Sequence, residues 1–273
     1  MIYYTIKGAK TDVRQWVFPG GEVGIDINIG SERVDYNTKD IRVTSHIQRS
    51  DDILALCLTT DAIKRQFPKA SLSLHMPYIP YARQDRVCNT GESLSIKVLS
   101  VIVNSLGYTS VIVEDPHSPV SEACINGIQV VDQYDLFGYV RSFRDYFIVA
   151  PDAGATKKCD YFAKRVGARG VITCHKTREL SSGKIVGLEL NSKENLKGTN
   201  LFVLDDLCDG GRTFIELHNL LSLHNPNKIE LAVTHGIFSN GVDIITDLYD
   251  HVFTTNSFHY DLAGSAELTV IKI

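Results

Sequence analysis

The sequence predicts an α/β protein made of two halves, each with a mainly parallel sheet flanked by helices. Short apolar runs alternate with amphipathic helical patterns along the chain, which is typical of parallel strands joined by crossover helices. This rhythm occurs twice, on either side of a break near residues 131–144. Polar clusters follow several predicted strands, where sheets of this kind bind their ligands.

In the first half, apolar periodicity predicts two helices and two strands. The first helix is Asp51–Gln66, whose apolar face carries Ile53, Leu56, Cys57, Thr60 and Ile63. The segment Ser93–Leu106 is predicted to be helical for the same reason. Strands are predicted at Ser71–Met76 and Val111–Glu114, and the loop Pro77–Asp85 follows the first of them.

The second half repeats the pattern with two helices and further strands. The helices are Ala155–Val166 and Arg212–Leu223. The strands are Phe147–Ala150, Gly170–Cys174, Leu201–Leu204, Ile229–Val233, His251–Thr254 and Leu268–Ile273. With a boundary in the break, the two predicted domains are residues 1–135 and 136–273.

Composition and charge argue against several classes of protein. Hydrophobic residues make up 44% of the 273 residues and charged residues 22%, so we expect a packed core. The net charge of −4 argues against a general nucleic-acid binder. The sequence contains no apolar run of about 18 residues and does not start like a signal peptide. We therefore expect no membrane span and a cytoplasmic location.

The segment after the strand Leu201–Leu204 is the most informative. It reads Asp205-Asp-Leu-Cys-Asp-Gly-Gly-Arg-Thr213, and a helix is predicted to begin at its end. Glycines let backbone amides turn toward an anion, and a helix N-terminus adds a favourable dipole. Carboxylates beside such a cradle suit ribose hydroxyls or a metal ion. The pattern indicates a sugar-phosphate site, and an ordinary turn capped by aspartates is the alternative.

A second polar loop, Pro80–Arg86, follows the strand Ser71–Met76. It contains two arginines, a glutamine and an aspartate. These groups suit a nucleotide phosphate and the edge of a base. A solvated charged loop is the alternative.

His117 and Asp152 each lie just after a predicted strand and are candidate metal ligands. One histidine and one aspartate are too few to enclose a metal, but they suit Mg²⁺ completed by water and nucleotide phosphates. Imidazole is an unusual Mg²⁺ ligand, so contact of His117 with a phosphate is an alternative. A capping or core role is the alternative for either residue.

The segment His175–Arg178 follows the strand that ends at Cys174 and is predicted to be an extended loop. Alternate residues of an extended chain point to one side, so Lys176 and Arg178 would meet the charge of a transferring phosphoryl group. The polar segment Glu179–Lys184 is predicted to act as a closing lid. A solvated basic turn is the alternative.

Taken together and in order, these segments resemble the ribose-phosphate pyrophosphokinases over nearly the whole chain. Any one motif would be weak, whereas the ordered set is specific. The matching segments are Phe18–Glu22, Pro77–Arg86, Gly91–Lys97, Asp115–His117, Pro151–Gly154, Lys176 with Arg178, Asp205–Thr213 and Thr234–Ser239.

The resemblance implies two phosphoribosyltransferase-type (type I) domains and a defined reaction. The anomeric hydroxyl of ribose 5-phosphate attacks the β-phosphorus of ATP with Mg²⁺ as cofactor, and AMP is released. The resemblance also implies a homo-oligomer in which the adenine site is shared between subunits.

The resemblance assigns roles residue by residue. For ATP binding it implies Arg83, Gln84, Asp85 and His117, with Phe18, Gly20, Gly21 and Glu22 on the adenine side of a neighbouring subunit. For the Mg-ATP it implies His117 and Asp152, and for the transition state Lys176 and Arg178. For the ribose it implies Asp205 and Asp206. For the 5-phosphate it implies Asp209, Gly210, Gly211, Arg212 and Thr213.

The chain departs from the family pattern mainly in the segment Asp209–Thr213, which the resemblance assigns to the 5-phosphate. Gly210 stands where the family usually has threonine, and Arg212 stands where it has glycine. A hydroxyl is lost and a bulky cation is gained, so the identity of the acceptor is open. Gly20 and Ala155 also differ from the family residues, and the chain is shorter than most members.

Four hypotheses remain. The first is pyrophosphoryl transfer to ribose 5-phosphate, and the second is the same transfer to a larger acceptor such as ADP-ribose, whose diphosphate Arg212 would pair. The third is a non-catalytic regulatory homologue that binds nucleotide, although such a protein would be expected to lose groups that this chain keeps: Lys176, Arg178, His117 and Asp152. The fourth is a phosphoribosyltransferase acting on a base, which would leave Tyr81–Arg86 without a purpose.

Overall fold

The computed structural model describes residues 1–27, 38–178, 185–191, 194–259 and 261–273, and for residues 176–178 and 185–188 it describes the backbone alone. The described chain divides into two compact units, Met1–Val131 (unit 1) and Asp132–Ile273 (unit 2). Each unit has its own hydrophobic core. Within the described residues, no helix is both long enough and apolar enough to cross a membrane.

Unit 1 forms a mixed sheet with strand order β2-β1-β5-β6-β7-β8, and a separate ribbon of β3 and β4. Its strands are β1 (Ile2–Ile6), β2 (Ala9–Asp12), β3 (Arg14–Val17), β4 (Val23–Asp26), β5 (Asp40–Ser45), β6 (Ser71–His75), β7 (Ser110–Glu114) and β8 (Ile128–Val131). Its helices are α1 (Ser50–Gln66), α2 (Ser95–Ser105) and α3 (Val120–Cys124).

The parallel strands β5 to β8 follow one another in a single direction across the sheet. Right-handed crossovers then place the connecting helices on the same face. Side chains from α1, α2 and these strands form one buried cluster, which includes Leu56, Leu99, Val43, Leu74 and Val113. The loops after β6 and β7 therefore leave the sheet at the same edge.

Unit 2 forms a sheet with strand order β11-β10-β9-β12-β13-β14-β15. Its strands are β9 (Tyr146–Ala150), β10 (Gly170–Arg178), β11 (Ile185–Asn191), β12 (Asn200–Cys208), β13 (Lys228–Gly236), β14 (His251–Thr255) and β15 (Leu268–Ile271). Its helices are α4 (Gln133–Phe137), α5 (Thr156–Val166), α6 (Arg212–Ser222) and α7 (Asp243–Thr246).

The order of strands in unit 2 reverses between β9 and β12. The connection from β9 through α5 runs to β10 on one side, whereas the connections from β12 run to β13 and β14 on the other. Right-handed crossovers then place α5 and α6 on opposite faces. The loops after β9 and β12 diverge at this point, which is where open α/β sheets bind ligands.

The structure confirms the predicted α/β class, and most predicted helices and strands differ from it only at their ends. Three strands continue several residues beyond their predicted ends. The strand from Ile229 continues to Gly236. The strand from Gly170 continues to Arg178 because its second half pairs with β11, and the strand through Leu201 continues to Cys208 because it pairs with β13. The antiparallel strands β1 to β4 were not predicted, since their half-exposed residues show little apolar periodicity.

Candidate active site

The acidic pair Asp205 and Asp206 lies inside β12 and not in a loop as the sequence predicted. The pairing of β12 with β13 continues past it to Cys208, which lies opposite Gly236. Asp206 is buried and Asp205 is half-buried, and the Asp205 Oδ1 accepts a hydrogen bond from the Asp206 amide at 2.9 Å. Both carboxylates are thus held on a rigid strand at the edge where the loops diverge.

Burial raises the pKa of the Asp205 carboxyl well above its ordinary value. The negative charge of Asp206 raises this pKa further, and the charge of Asp152 also contributes. Since charges act on one another strongly only at short range in a protein, the three carboxylates share one electrostatic environment. Such a group attracts hydroxyl donors and cations.

The variant Asp205→Asn is expected to be more stable than the parent protein at pH 8 in buffer without metal or ligand. Because the pKa of Asp205 is raised in the folded state, its contribution to stability is fully present below the unfolded pKa of about 3.9 and is lost as the pH rises through the folded pKa. Urea unfolding at a series of pH values measures this, and the advantage of the variant should shrink as the pH falls toward about 4. Asp160→Asn, at an exposed position of α5, is the control. An advantage that is the same at every pH contradicts the assignment.

The phosphate loop, Asp209–Thr213, joins β12 to the N-terminus of α6. Gly211 is the residue before the helix and has a φ of +79°, a conformation that favours glycine. A Cβ on Gly211 would lie 2.9 Å from Cδ1 of Ile245, which is fully buried. A Cβ on Gly210 would lie 3.0 Å from Nδ2 of Asn240. A side chain at Gly211 would therefore clash with the buried core, whereas at Gly210 the exposed Asn240 side chain would have to shift slightly. The loop leads into the N-terminus of α6, and helix N-termini favour anions.

A turn after β13 braces the phosphate loop through its backbone. The amides of Ile237 and Phe238 both donate to the Cys208 carbonyl, at 2.9 and 3.1 Å, and the Ser239 amide donates to the Asp209 carbonyl at 3.2 Å. The Asn240 Nδ2 donates to the Gly210 carbonyl at 3.0 Å. This turn is the first part of the segment Ile237–Ile245, which we call the bracing segment. Its hydrogen bonds to three successive carbonyls fix the shape of the phosphate loop.

Arg212 is the first residue of α6, and its side chain is 87% exposed. Its Nε lies 2.8 Å from Oε1 of Glu216, one helical turn further on. An exposed ion pair between neighbouring turns contributes little to stability. Arg212 therefore lies in the loop, and its weak ion pair with Glu216 would not prevent its guanidinium from binding a ligand there.

Asp152 lies in the loop after β9, across the divergence from the phosphate loop. Its Oδ1 accepts hydrogen bonds from the amides of Gly154 and Ala155, at 2.9 and 3.2 Å, just before α5 begins. The charge of Asp152 contributes to the raised pKa of both Asp205 and the buried Cys174. The carboxylate therefore fixes the turn before α5, and its negative charge also acts on Asp205.

Lys176 and Arg178 lie on β10 and not on a loop as predicted. Their backbone pairs with β11, Lys176 opposite Leu188 and Arg178 opposite Ile185, with a register shift between Thr177 and Arg178. The predicted lid, residues 179–184, lies outside the described residues.

In unit 1, the loops after β6 and β7 meet at Asp85. A hydrogen bond from Ser118 lowers the pKa of the Asp85 carboxyl, and the charges of Arg86 and His117 lower it further. The Arg86 Nε lies 3.0 Å from the Asp85 Oδ1. Arg83 and His117 are exposed at the same edge. The structure thus brings the predicted ATP-binding residues Arg83, Asp85 and His117 onto neighbouring loops.

Hydrogen bonds to helices hold the rest of the loop that follows β6. The Ser95 hydroxyl at the start of α2 donates to the Gln84 Oε1. The Tyr81 hydroxyl lies 2.7 Å from the Ser50 hydroxyl at the start of α1. Tyr81 has a φ of +64°, which costs about 1 kcal/mol or more for a residue with a side chain. The two helix N-termini therefore shape the loop that carries Arg83.

Phe18, Gly20, Gly21 and Glu22 form the exposed tip of the ribbon of β3 and β4. The Phe18 amide donates to the Glu22 carbonyl at 2.8 Å, and the Gly21 amide donates to the Phe18 carbonyl at 2.8 Å. The Phe18 ring is 47% exposed and packs edge-to-face on Trp16, with ring centroids 5.7 Å apart. The tip offers an exposed aromatic face, and its contact with adenine stays a prediction.

Sequence reasoning missed two residues that shape these loops. Ser118 directly follows His117, and its hydrogen bond lowers the pKa of Asp85. Asn240 directly follows the Thr234–Ser239 motif, and it holds the Gly210 carbonyl. Neither has a charge or a local pattern that marks it. Their position beside a recognised motif was the only available signal.

Among the described residues, no group of three or more His, Cys, Asp or Glu side chains could hold a metal ion. Candidate ligands for a metal shared with a nucleotide are therefore single residues. His117 belongs to unit 1 and Asp152 to unit 2. Carboxylate oxygen suits Mg²⁺, and Mg²⁺ usually keeps several waters and takes phosphate oxygens as further ligands. The Asp152 carboxylate therefore suits Mg²⁺ that arrives with a nucleotide.

No protein-family model matches the chain. Over 268 residues it is 28% identical to a ribose-phosphate pyrophosphokinase of Mycoplasmopsis pulmonis, covering 94% of this chain and 80% of that one. It is 26% identical to the enzymes of the same name from Aquifex aeolicus and Pyrococcus furiosus. These matches cover 96% and 92% of this chain, and 84% and 88% of the relatives.

One solved structure has a similar fold over almost the whole chain. It is phosphoribosylpyrophosphate synthetase from Mycobacterium smegmatis, with a TM-score of 0.80. The match covers 98% of this chain and 88% of that one. The sequences are 22% identical, so this likeness bears on the fold alone.

Proposed function

Because this chain belongs to the ribose-phosphate pyrophosphokinase family, we propose that it transfers the β,γ-pyrophosphoryl group of Mg-ATP to ribose 5-phosphate. The anomeric hydroxyl would be the acceptor, and the products would be phosphoribosyl pyrophosphate and AMP. The observation that carries this proposal is the end of β12 in unit 2. There two aspartates on a strand are followed directly by a phosphate loop at a helix N-terminus.

The phosphate loop would hold the 5-phosphate of the ribose. The glycines Gly210 and Gly211 keep the approach to the α6 N-terminus free of side chains, and unpaired amides there bind anions. The Thr213 hydroxyl would add a donor. Since the loop is fixed by the bracing segment, the acceptor would be positioned before the reaction, which reduces the entropic part of the barrier.

Asp205 and Asp206 would hold the ribose through its hydroxyls. A carboxylate accepts hydrogen bonds from hydroxyl groups, and a neutral carboxyl group also donates one. Because burial and Asp206 raise the pKa of Asp205, the pair accommodates a proton more readily than isolated carboxylates do. Asp209 would complete the turn into the loop.

The ATP would be held by residues of unit 1. Arg83 and Gln84 would bind its phosphates and base edge, since arginine and amide groups offer several donors in fixed directions. A hydrogen bond from Ser118 and the charges of Arg86 and His117 lower the pKa of Asp85, and its carboxylate would orient the Arg86 guanidinium. Phe18 and Gly20–Glu22 would contact the adenine bound by a neighbouring subunit in a homo-oligomer.

Lys176 and Arg178 would stabilise the charge that develops on the transferring group. Phosphoryl chemistry depends mainly on positioning and on neutralising charge, so no protein nucleophile is required. Mg²⁺ would supply positive charge that neutralises the phosphates of ATP. Asp152 and His117 are the residues of this chain that would hold it.

An acceptor assay tests the proposal. Purified protein is incubated with Mg-ATP and ribose 5-phosphate, and AMP and phosphoribosyl pyrophosphate are measured together. We expect equal amounts of both. Nucleotide binding without AMP release on any sugar phosphate would instead support the non-catalytic alternative. The same assay on diluted protein tests the shared adenine site, because full activity of a proven monomer contradicts it.

A second candidate function is the same transfer onto a larger ribose phosphate such as ADP-ribose. The observation that favours it is the phosphate loop itself. Gly210 lacks the hydroxyl that a phosphate monoester would use, and Arg212 adds an exposed guanidinium at the helix start. A guanidinium binds phosphate oxygens in pairs, so a diphosphate suits it. Comparing AMP release with each acceptor distinguishes the two candidates.

A further inference from the structure

We propose that a pocket beside the phosphate loop binds the nucleoside part of an acceptor in which a diphosphate links that nucleoside to the reacting ribose. The inference rests on the proposed pyrophosphoryl transfer, because it assigns the remainder of that acceptor. The pocket has a volume of about 350 Å³, within the range of about 300–1,000 Å³ that ligand sites occupy. It is lined by Phe238, Val242, His259, Asp261, Leu262 and Ala263.

The pocket and the phosphate loop share one structural support, the bracing segment. Phe238, one wall of the pocket, donates its amide to the Cys208 carbonyl just before the loop. Val242, a second wall, precedes α7, and Ile245 of that helix packs under Gly211. The other lining residues follow β14, which lies next to β13 in the sheet. The pocket and the phosphate loop therefore lie at the same edge of the sheet, and the bracing segment contacts both.

The bracing segment is held in an unusual conformation at the pocket wall. Phe238 has a φ of +47°, which is uncommon for a residue with a side chain. Its ring lies where a Cβ of Gly236 would be. Strained residues of this kind persist where the surrounding structure over-determines them, and they cluster at ligand sites. Gly236 thus permits the ring position that shapes the pocket.

The chemistry of the lining suits a nucleoside. Phe238, Val242 and Leu262 offer apolar surface to the face of a base. The Asp261 carboxylate accepts hydrogen bonds from ribose hydroxyls or an amino group, and it repels phosphate. The His259 Nε2 donates to the Ile237 carbonyl at 2.8 Å, which fixes the ring at the pocket wall and leaves Nδ1 as its remaining polar atom. The pocket is therefore selective for the uncharged end of the acceptor.

Arg212 would bind the charged link between the two ends. It stands at the start of α6, in the phosphate loop that the bracing segment supports. Its only described ion pair, with Glu216, is exposed and so contributes little. A diphosphate offers more negative charge and paired oxygens, so it would displace Glu216. The phosphate loop, Arg212 and the pocket then match, in turn, the phosphate on the reacting ribose, the second phosphate of the link and the nucleoside.

Filling the pocket tests the inference. With ADP-ribose as the probe acceptor, Ala263→Trp is expected to raise KM at least about tenfold, whereas KM for ribose 5-phosphate stays within about twofold. Ala266→Trp introduces the same bulk in the same connection, outside the pocket lining, and should change neither value. Asp261→Ala, an exposed position, is a second variant that removes the carboxylate and should weaken ADP-ribose alone.

Calorimetric binding without ATP separates this inference from the proposed function. If no acceptor gives AMP, the function fails, yet binding of ADP-ribose that Ala263→Trp abolishes still supports the pocket. If the parent protein turns over ribose 5-phosphate but does not bind ADP-ribose, the pocket proposal is overturned and the function stands. Equal shifts in KM for both acceptors also overturn it, because they show a general distortion of the phosphate loop.

Discussion

Replacing Lys176 with alanine is expected to lower kcat by about 10²–10³, with much smaller changes in KM for ATP and for the acceptor. The reason is that a cation aimed at developing charge stabilises the transition state more than the bound substrates. Lys176 lies on β10, where pairing with β11 fixes its backbone, so the strand should survive the substitution. Steady-state kinetics with each substrate varied in turn provide the measurement.

Two comparisons make this result specific. Lys164→Ala removes a lysine from the exposed last turn of α5 and should leave kcat unchanged. Lys176→Arg keeps the positive charge and should recover part of the lost rate. A large rise in KM with unchanged kcat would show that Lys176 only binds substrate, and the catalytic role would then be wrong.

Gly211→Ala is expected to weaken both the fold and the acceptor site. A left-handed backbone costs a residue with a side chain about 1–2 kcal/mol, and overpacking of a filled core costs about 1–3 kcal/mol more. The clash arises because the new Cβ would lie 2.9 Å from Cδ1 of Ile245, which is fully buried and has little room to move. Displacement of the loop should also raise KM for the ribose phosphate at least about tenfold. Denaturant unfolding and kinetics measure the two effects.

Gly167→Ala is the matched control for this substitution. Gly167 ends α5 with a φ of +67°, but a Cβ there would have no neighbour within 4 Å. It should therefore lose about 1 kcal/mol of stability from the backbone alone and keep the parent KM. If both variants lose the same stability and neither changes KM, close packing under Gly211 does not set the shape of the loop.

Much of the fold follows from local pattern. The helix Asp51–Gln66 was predicted almost to the residue because its apolar face is a local signal. The buried strand through Leu201 was predicted because it is a continuous apolar run. The ends of β10 and β12 were not predicted correctly, because polar residues such as Asp205 and Lys176 are typical of loops. They are in strands because a neighbouring strand pairs with their backbone.

The candidate site shows the same division. Its residue types were visible in the sequence, because glycines, aspartates and arginines stand out beside apolar runs. The hydrogen bond from Asn240 to the Gly210 carbonyl joins residues that are 30 positions apart in the sequence, and no local pattern predicts such a contact. The raised pKa of Asp205 likewise depends on burial and on neighbours that only the fold supplies.

The sequence by itself determined the α/β class and, through the ordered motifs from Phe18–Glu22 to Thr234–Ser239, the family. The tertiary structure alone decided which residues share an environment. It set Asp152 and Asp205 on either side of the divergence between β9 and β12, and it placed the pocket at Phe238 beside the phosphate loop. The physical reason is that periodicity records neighbours within one helix or strand, whereas strand order and crossover direction bring together residues far apart in the chain.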